Sequence, residues 1–129
     1  MTDFVWVERL SIELLHSESL SEHGGLTGLR DAGLLESALA RPRNLHAYEG
    51  VDDVVTLAAC YGIAIARNHP FNDGNKRAAI LAMFVFAELN GLRVEADEAD
   101  AAAIMLAAAA DELSQDELAM WLRKQIRPT

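Results

Sequence analysis

Apolar residues recur along most of the chain at the three- and four-residue spacing of an amphipathic α-helix. Polar clusters and turn-forming residues separate these apolar segments, and no segment shows a convincing strand pattern. We therefore expect an all-α fold, a compact bundle of about six helices. The predicted helices cover approximately residues 4–20, 32–41, 53–68, 75–90, 97–110 and 114–126.

Capping and breaking residues set several of the predicted helix ends. Asp31 is a good N-cap, and the segment 114–117 (SQDE) is a capping box that opens the last helix. Pro42 is expected to end the second helix, because proline lacks the N–H that a helix interior needs. His46 and Tyr48 would then lie in a loop.

The segment 53–68 is the most apolar of the predicted helices. Apolar residues occupy nearly all of its faces, which is typical of a helix buried on every side. We expect it to be the central helix of the bundle. Cys60 lies in the middle of this segment and is expected to fill space in the core.

Length and charge limit the class of protein. The chain has 129 residues, is 51% apolar and carries a net charge of −9, which favours a single domain (1–129) and argues against a broad nucleic-acid surface. The longest apolar runs, 78–87 and 101–110, are shorter than the roughly 18 residues that a membrane span needs. We expect a cytoplasmic protein with no membrane contact.

Functional groups are concentrated in the stretch 67–77 (RNHPFNDGNKR), between two apolar segments. Pro70 disfavours helical backbone at His69, and Gly74 can adopt the positive φ of a turn. The helical pattern restarts near Asn75. The stretch is therefore predicted to be a loop that leads into a helix N-terminus.

A helix N-terminus attracts anions, because its first N–H groups lack partners and the helix dipole is positive there. Lys76 and Arg77 add two cations where only a bound anion such as phosphate would favour them. Asp73 could hold a Mg²⁺ ion that also touches phosphate oxygens. His69 can accept a proton near neutral pH. Each residue alone is explained by capping, packing or solvation, but together they indicate phosphoryl or nucleotidyl transfer.

The segment 69–77 (HPFNDGNKR) also resembles the motif of the Fic/Doc superfamily, and more closely its death-on-curing (Doc) toxin branch. Weaker resemblances follow the same order, at 24–31 (GGLTGLRD), 33–39 (GLLESAL) and 89–91 (LNG). The resemblance extends over about residues 4–126 and implies a Fic/Doc-like all-α fold.

The resemblance implies a role for each matching residue. His69 would be the general base for a target hydroxyl, Asp73 the Mg²⁺ ligand, and Phe71 a buried anchor of the loop. The implied catalytic residues are His69, Asp73, Lys76 and Arg77. The implied ATP-binding residues are Arg67, Asn72, Gly74, Asn75, Lys76 and Arg77.

Two positions separate the branches of the superfamily. Lys76 stands where Fic adenylyltransferases usually have glycine, and Ile80 where they have a second arginine. Both favour the Doc branch, which transfers the γ-phosphoryl of ATP to a threonine of elongation factor Tu and so arrests translation. The alternatives are a Fic-type adenylyltransferase and a catalytically inactive binding module.

The resemblance also implies a protein partner. Many Fic proteins carry an inhibitory helix with the pattern Ser/Thr-x-x-x-Glu-Gly/Asn, and no Ser or Thr of this sequence has glutamate four positions later. An active toxin of this kind would need an inhibitor supplied by a separate protein. The expected inhibitor is a small antitoxin whose disordered tail folds as a helix in a groove on the toxin.

Overall fold

The computed structural model describes residues 3–128. Six α-helices and two very short strands follow one another along the chain, so the predicted all-α class is confirmed. The elements are α1 (Arg9–His23), α2 (Ala32–Glu49), α3 (Val54–Asn68), α4 (Asn75–Leu89), β1 (Arg93–Val94), α5 (Glu98–Ala109), α6 (Gln115–Arg123) and β2 (Ile126–Arg127).

Helix α3 is the centre of the bundle, as its sequence predicts. Every residue from Leu57 to Ala66 is buried, and α2, α4, α5 and α6 all pack against the helix. Asp53 caps it by accepting the N–H of Thr56. Cys60 is buried in the core, and burial raises the pKa of its thiol to about 11.

The N-terminal strap, residues 4–8, is not helical, and the prediction of a helix beginning at about residue 4 is wrong. Asn90 accepts the N–H of Val5 at 2.8 Å and donates to its carbonyl at 2.9 Å. The N–H of Val7 donates to the hydroxyl of Tyr61 at 3.0 Å. These hydrogen bonds to distant residues replace those that a helix would have provided. Trp6 also stacks on Phe86.

Helix α2 continues to Glu49, and the prediction that Pro42 ends it is wrong. Pro42 lies inside the helix, and His46 and Tyr48 are helical rather than in a loop. Pro42 extends the buried stripe of Leu35, Ala38 and Leu39. This packing explains why the helix passes through proline despite the lost hydrogen bond.

Short strands replace the last predicted turn of helix. Arg93 pairs with Arg127, and Val94 with Ile126, in one antiparallel ladder. Helix α6 therefore ends at Arg123 and not at about residue 126, and the expectation of no strand is wrong at these positions. The cause is long-range pairing, since no run of strand-forming residues is present.

The remaining helix boundaries lie close to their predicted places. Asp31 and Asp97 cap α2 and α5, and Ser114 and Glu117 form the predicted capping box of α6. Helix α1 extends three residues past the prediction, to His23. Within residues 3–128, no helix is both long enough and apolar enough to cross a membrane.

Candidate active site

The motif loop, residues 69–74, joins the end of α3 to the start of α4. His69 is the C-cap of α3, with left-handed backbone (φ 50°, ψ 56°), and its N–H donates to the carbonyl of Ile65 at 3.2 Å. Pro70 prevents the helix from continuing. Gly74 is the N-cap of α4 at φ 73°, a conformation that glycine adopts without strain. The predicted loop and helix start are confirmed.

The motif loop is closed by Asn75 and anchored by Phe71. The amide of Asn75 accepts the N–H of Phe71 at 2.9 Å and donates to its carbonyl at 3.0 Å. The Phe71 ring is 2% exposed, which confirms the expected buried anchor, and its burial contributes about 2–3 kcal/mol. Asn75 therefore has a structural task in the loop, and its predicted contact with phosphate stays a prediction.

A second backbone segment, the facing segment (residues 24–31), lies alongside the motif loop. Leu29 forms a bridge with Phe71, and the N–H of Asn72 donates to the carbonyl of Gly28 at 3.1 Å. The Asn72 side chain donates to the carbonyl of Thr27 at 2.9 Å. In this arrangement Asn72 holds the two segments together.

His69 presents its side chain to solvent, while its backbone is held from behind. Arg30 donates to the carbonyl of His69 at 2.7 Å and to that of Asn68 at 2.9 Å. The contact fixes the loop corner and leaves the imidazole ring free to meet a substrate. An exposed imidazole on a fixed backbone is suited to take a proton from an incoming hydroxyl.

Asp73 follows His69 around the loop and also lies at the surface. One carboxylate oxygen, Oδ1, accepts the N–H of Gly74 at 2.8 Å, and Oδ2 accepts that of Leu26 at 3.3 Å. Gly25 comes so close that a Cβ there would lie 2.9 Å from Oδ2. The carboxylate is thus oriented by backbone groups on two sides.

The donor set of this loop fits a magnesium ion bound together with phosphates, and it does not fit a protein-only metal site. No cluster of three or more His, Cys, Asp or Glu ligands occurs among residues 3–128. Mg²⁺ in nucleotide sites is commonly held by one or two carboxylates, with phosphate oxygens and water completing its shell. Asp73 can supply such a carboxylate.

Lys76 and Arg77 occupy the first turn of α4, as predicted. Lys76 is exposed. Arg77 has only a loose ion pair, 3.9 Å from its Nη1 to the Glu98 carboxylate, and the Glu98 side chain is 94% exposed. A pair this open stabilises by less than about 1 kcal/mol. Both cations therefore remain available to an anion at the helix N-terminus.

An apolar groove of about 810 Å³ begins at this helix end and lies between α1, α4 and α5. Its polar end contains Gly74, Lys76 and Arg77 at the start of α4 and the carboxylate of Glu98 at the start of α5, 3.9 Å from Arg77. His23, the last residue of α1, also lines the groove. The apolar lining includes Leu20, Ile80, Leu81, Phe84, Ala102 and Leu106.

Arg67 is directed toward the C-terminal end of α5. It donates to the carbonyls of Ala108 at 3.1 Å and Leu113 at 2.9 Å, and it pairs with Asp111 at 2.9 Å. The structure thus gives Arg67 partners outside the motif loop. Its predicted contact with the nucleotide stays a prediction.

Sequence reasoning missed two residues that hold the motif loop, Arg30 and His16. Arg30 lies in a segment that carries the family resemblance, which was the available signal. His16 is buried in α1, and its Nε2 lies 2.7 Å from the carbonyl oxygen of Asp73. A lone histidine in an amphipathic helix gives no such signal.

Comparison with known families and proteins identifies relatives of this chain. The sequence profile of the Fic/DOC family matches residues 6–87. The chain is 37% identical over 110 residues to the protein kinase doc of Escherichia phage P1, covering 85% of this chain and 86% of that protein.

A second relative is the toxin Doc of Mycolicibacterium smegmatis, 39% identical over 75 residues. That match covers 57% of this chain and 58% of the relative. The profile match includes the facing segment, α3, the motif loop and most of α4. The chain therefore belongs to the Fic/DOC family.

Proposed function

We propose that this protein is a Doc-type toxin kinase that transfers the γ-phosphoryl group of ATP to a serine or threonine hydroxyl of a translation factor. The substrate that the family resemblance favours is elongation factor Tu, whose modification would arrest translation. The observation that carries the proposal is the motif loop itself. One short loop holds an exposed imidazole, an oriented carboxylate and a cationic helix N-terminus.

The positions of these groups suggest how the work is divided. The first-turn N–H groups of α4, with Lys76 and Arg77, would hold the triphosphate of ATP. Asp73 would hold Mg²⁺, which when bound neutralises charge on the phosphate oxygens. His69 would remove the proton from the target hydroxyl. The hydroxyl oxygen then bonds to the γ-phosphorus, the bond between that phosphorus and its bridging oxygen breaks, and ADP leaves.

Lys76 and Ile80 support phosphoryl transfer over adenylyl transfer. Lys76 stands at the helix start, where the reversed nucleotide of a Fic-type adenylyltransferase would need room for its pyrophosphate. Ile80, one turn further, lines the groove with an apolar side chain. It offers no charge to a second phosphate site.

The test is mass spectrometry of elongation factor Tu after incubation with this protein, ATP and Mg²⁺. A mass increase of one phosphoryl group on a serine or threonine is expected. An increase corresponding to AMP would replace the kinase assignment with adenylyl transfer. No modification of any protein in a translation extract would favour the binding-module alternative.

We further propose that the groove receives a helix from a cognate antitoxin. The groove is apolar along most of its length, suits the apolar face of an amphipathic helix, and ends at Lys76 and Arg77. A helix there would lie beside the triphosphate site and could block it. We expect a neighbouring small reading frame to encode this antitoxin, and its co-expression should restore growth to cells that produce this protein. Growth without any such partner in a host with a matching target would contradict the proposal.

A further inference from the structure

Apart from Tyr61 and Cys60, whose side chains are largely apolar, His16 is the one buried residue with a polar side chain within residues 3–128. Its side chain reaches from α1 to the motif loop, where Nε2 lies 2.7 Å from the carbonyl oxygen of Asp73. Because a carbonyl only accepts, Nε2 carries the proton and donates. The imidazole also stacks on Phe71, with ring centroids 3.7 Å apart and an interplanar angle of 14°.

The accepted carbonyl belongs to the same planar peptide group as the N–H of Gly74. That N–H donates to Oδ1 of Asp73 at 2.8 Å. Fixing the carbonyl therefore fixes the direction of the N–H, and with it the orientation of the carboxylate. His16 thus acts on the Asp73 carboxylate through one peptide plane.

A restraint is needed at this peptide because Gly74 is flexible. Glycine populates positive and negative φ about equally readily, so the peptide between Asp73 and Gly74 can rotate at low cost. The ring of His16 also closes off the space beside Gly74, where an added Cβ would lie 3.3 Å from Nε2. Rotation of this peptide would turn the carboxylate away and move the start of α4.

We propose that His16 is a positioning residue for phosphoryl transfer. Its Nε2–H locks the peptide between Asp73 and Gly74, which sets the Asp73 carboxylate and the first turn of α4 against the triphosphate. The stack on Phe71 holds the imidazole in place for this task. The inference rests on the proposed function for its chemistry, but the locked peptide can be tested without it.

Two substitutions separate the donor from the ring. His16→Phe keeps an aromatic ring against Phe71 and removes the donor. His16→Gln removes the ring and can place an amide N–H near the position of Nε2. Loss of an outer contact to a metal-binding group typically costs about 10–100-fold in activity or metal affinity. We expect that loss in kcat and in the apparent affinity for Mg²⁺ for His16→Phe, with most activity retained in His16→Gln.

His46 offers a matched control for this exchange. It is a half-buried histidine in α2 whose Nδ1 lies 2.8 Å from the carbonyl of Val51, and its ring packs edge-on against Phe4 at 5.0 Å. His46→Phe removes a comparable histidine contact to a backbone carbonyl, far along the chain from the motif loop. We expect it to change the Tm and leave kcat unchanged per folded molecule.

The amide resonance of Gly74 gives a readout that needs no activity. In ¹H–¹⁵N spectra we expect His16→Phe to weaken the hydrogen bond of this N–H, seen as a steeper temperature dependence of its ¹H shift, and both His16→Gln and His46→Phe to keep the wild-type temperature dependence. If wild type transfers no phosphoryl group, the proposed function fails, and the Gly74 resonance still decides the role of His16. Should His16→Gln fail to fold, His16→Phe alone decides. A His16→Phe protein with wild-type kcat, Mg²⁺ dependence and temperature dependence of the Gly74 resonance would overturn the inference.

Discussion

His69 has left-handed backbone, which costs a non-glycine residue on the order of 1–3 kcal/mol. The conformation is maintained by contacts on both sides, with Arg30 bound to the carbonyl of His69 and Pro70 buried next to it. The result is a sharp corner that presents the imidazole to solvent at the end of the most buried helix. A proton acceptor in this position is rigid without being enclosed.

His69→Asn tests the role of this imidazole with little disturbance to the backbone. Asparagine tolerates left-handed φ better than most residues but cannot act as a general base at neutral pH. We expect transfer to fall about 10²–10⁴-fold, the usual loss when a general base is removed. His69→Ala should fall by a similar factor, and circular dichroism should show wild-type helix content for both.

Retained transfer in His69→Asn would exclude the role of His69 as base. Loss of transfer together with loss of helix content would instead point to the corner itself. Comparing the two variants separates these cases, because asparagine suits the left-handed corner and alanine does not.

The residues to which we assign the chemistry could be proposed from the sequence because they are adjacent in it and their types match a known motif. His69, Asp73, Lys76 and Arg77 all lie on or next to the motif loop, as expected. The sequence did not indicate that the amides of Asn72 and Asn75 also make hydrogen bonds within the loop and to the facing segment, and their contacts with ATP stay predictions. His16 escaped prediction because its contact with Asp73 spans 57 positions of sequence.

At the scale of elements, the start of α4 sets the proposed selectivity for phosphates. Its first-turn N–H groups point toward the motif loop, and Lys76 and Arg77 bring two charges without strong competing ion pairs. Both features favour an anion over a neutral nucleoside. The element should therefore distinguish ligands by their phosphate groups.

Lys76→Ala and Arg77→Ala should each weaken ATP binding more than adenosine binding. A hydrogen bond to a charged group contributes about 1.5–3 kcal/mol, so the Kd for ATP should rise roughly 10–100-fold while that for adenosine changes little. Isothermal titration calorimetry with both ligands measures the difference. Lys124→Ala, at the C-terminal end of α6, is the control. Equal ATP affinity in all three variants would refute the phosphate site.

Asp53 makes the start of α3 sensitive to acid. Partial burial works against its ionised form, but the guanidinium of Arg123 and the hydroxyl and N–H of Thr56 hold the pKa of Asp53 below its ordinary value. A lowered folded-state pKa contributes stability that is present above the unfolded-state value and is lost as pH falls through the folded-state value.

Asp53→Asn isolates this contribution, because asparagine caps a helix about as well as aspartate. We expect wild type to be more stable than the variant at pH 7, by up to about 1 kcal/mol for so exposed a pair. The difference should shrink below about pH 4. Urea unfolding across this pH range measures it, and a difference that persists unchanged at the acid end would contradict the assignment.

Elements with local signals were predicted well, and elements fixed by distant partners were not. The caps at Asp31, Asp97 and Ser114 are local, and the helices that they open begin where expected. The predicted end of α2 at Pro42 was wrong because burial of Pro42 against the bundle outweighs its helix-breaking tendency. The two-residue strands are too short to leave a pattern in the sequence.

For the molecule as a whole, the groove connects the proposed catalytic end to a large apolar surface. It is bounded by three helices, and its polar end lies at the start of α4. An occupant of the groove would therefore also control access to the triphosphate site. Catalysis and neutralisation would use adjoining surfaces that can be altered separately.

Ala102→Trp tests this separation. Ala102 lines the groove, and a tryptophan there should fill part of it. We expect the variant to retain phosphoryl transfer and to escape neutralisation by the co-expressed antitoxin, seen as growth arrest in the presence of both proteins. Ala103→Trp, an exposed position on the same helix outside the groove lining, should still be neutralised. Equal neutralisation of both variants would place the antitoxin elsewhere.

The pair of hydrogen bonds between Asn90 and Val5 has a consequence for synthesis on the ribosome. The two residues are 85 positions apart. Because translation proceeds at about 5–20 residues per second, Asn90 is synthesised roughly 4–17 s after Val5. During that interval the nascent chain carries Phe4 and Trp6 with no α4 to cover them. A chaperone that binds aromatic segments could therefore bind the strap before α4 and the site at its start have formed.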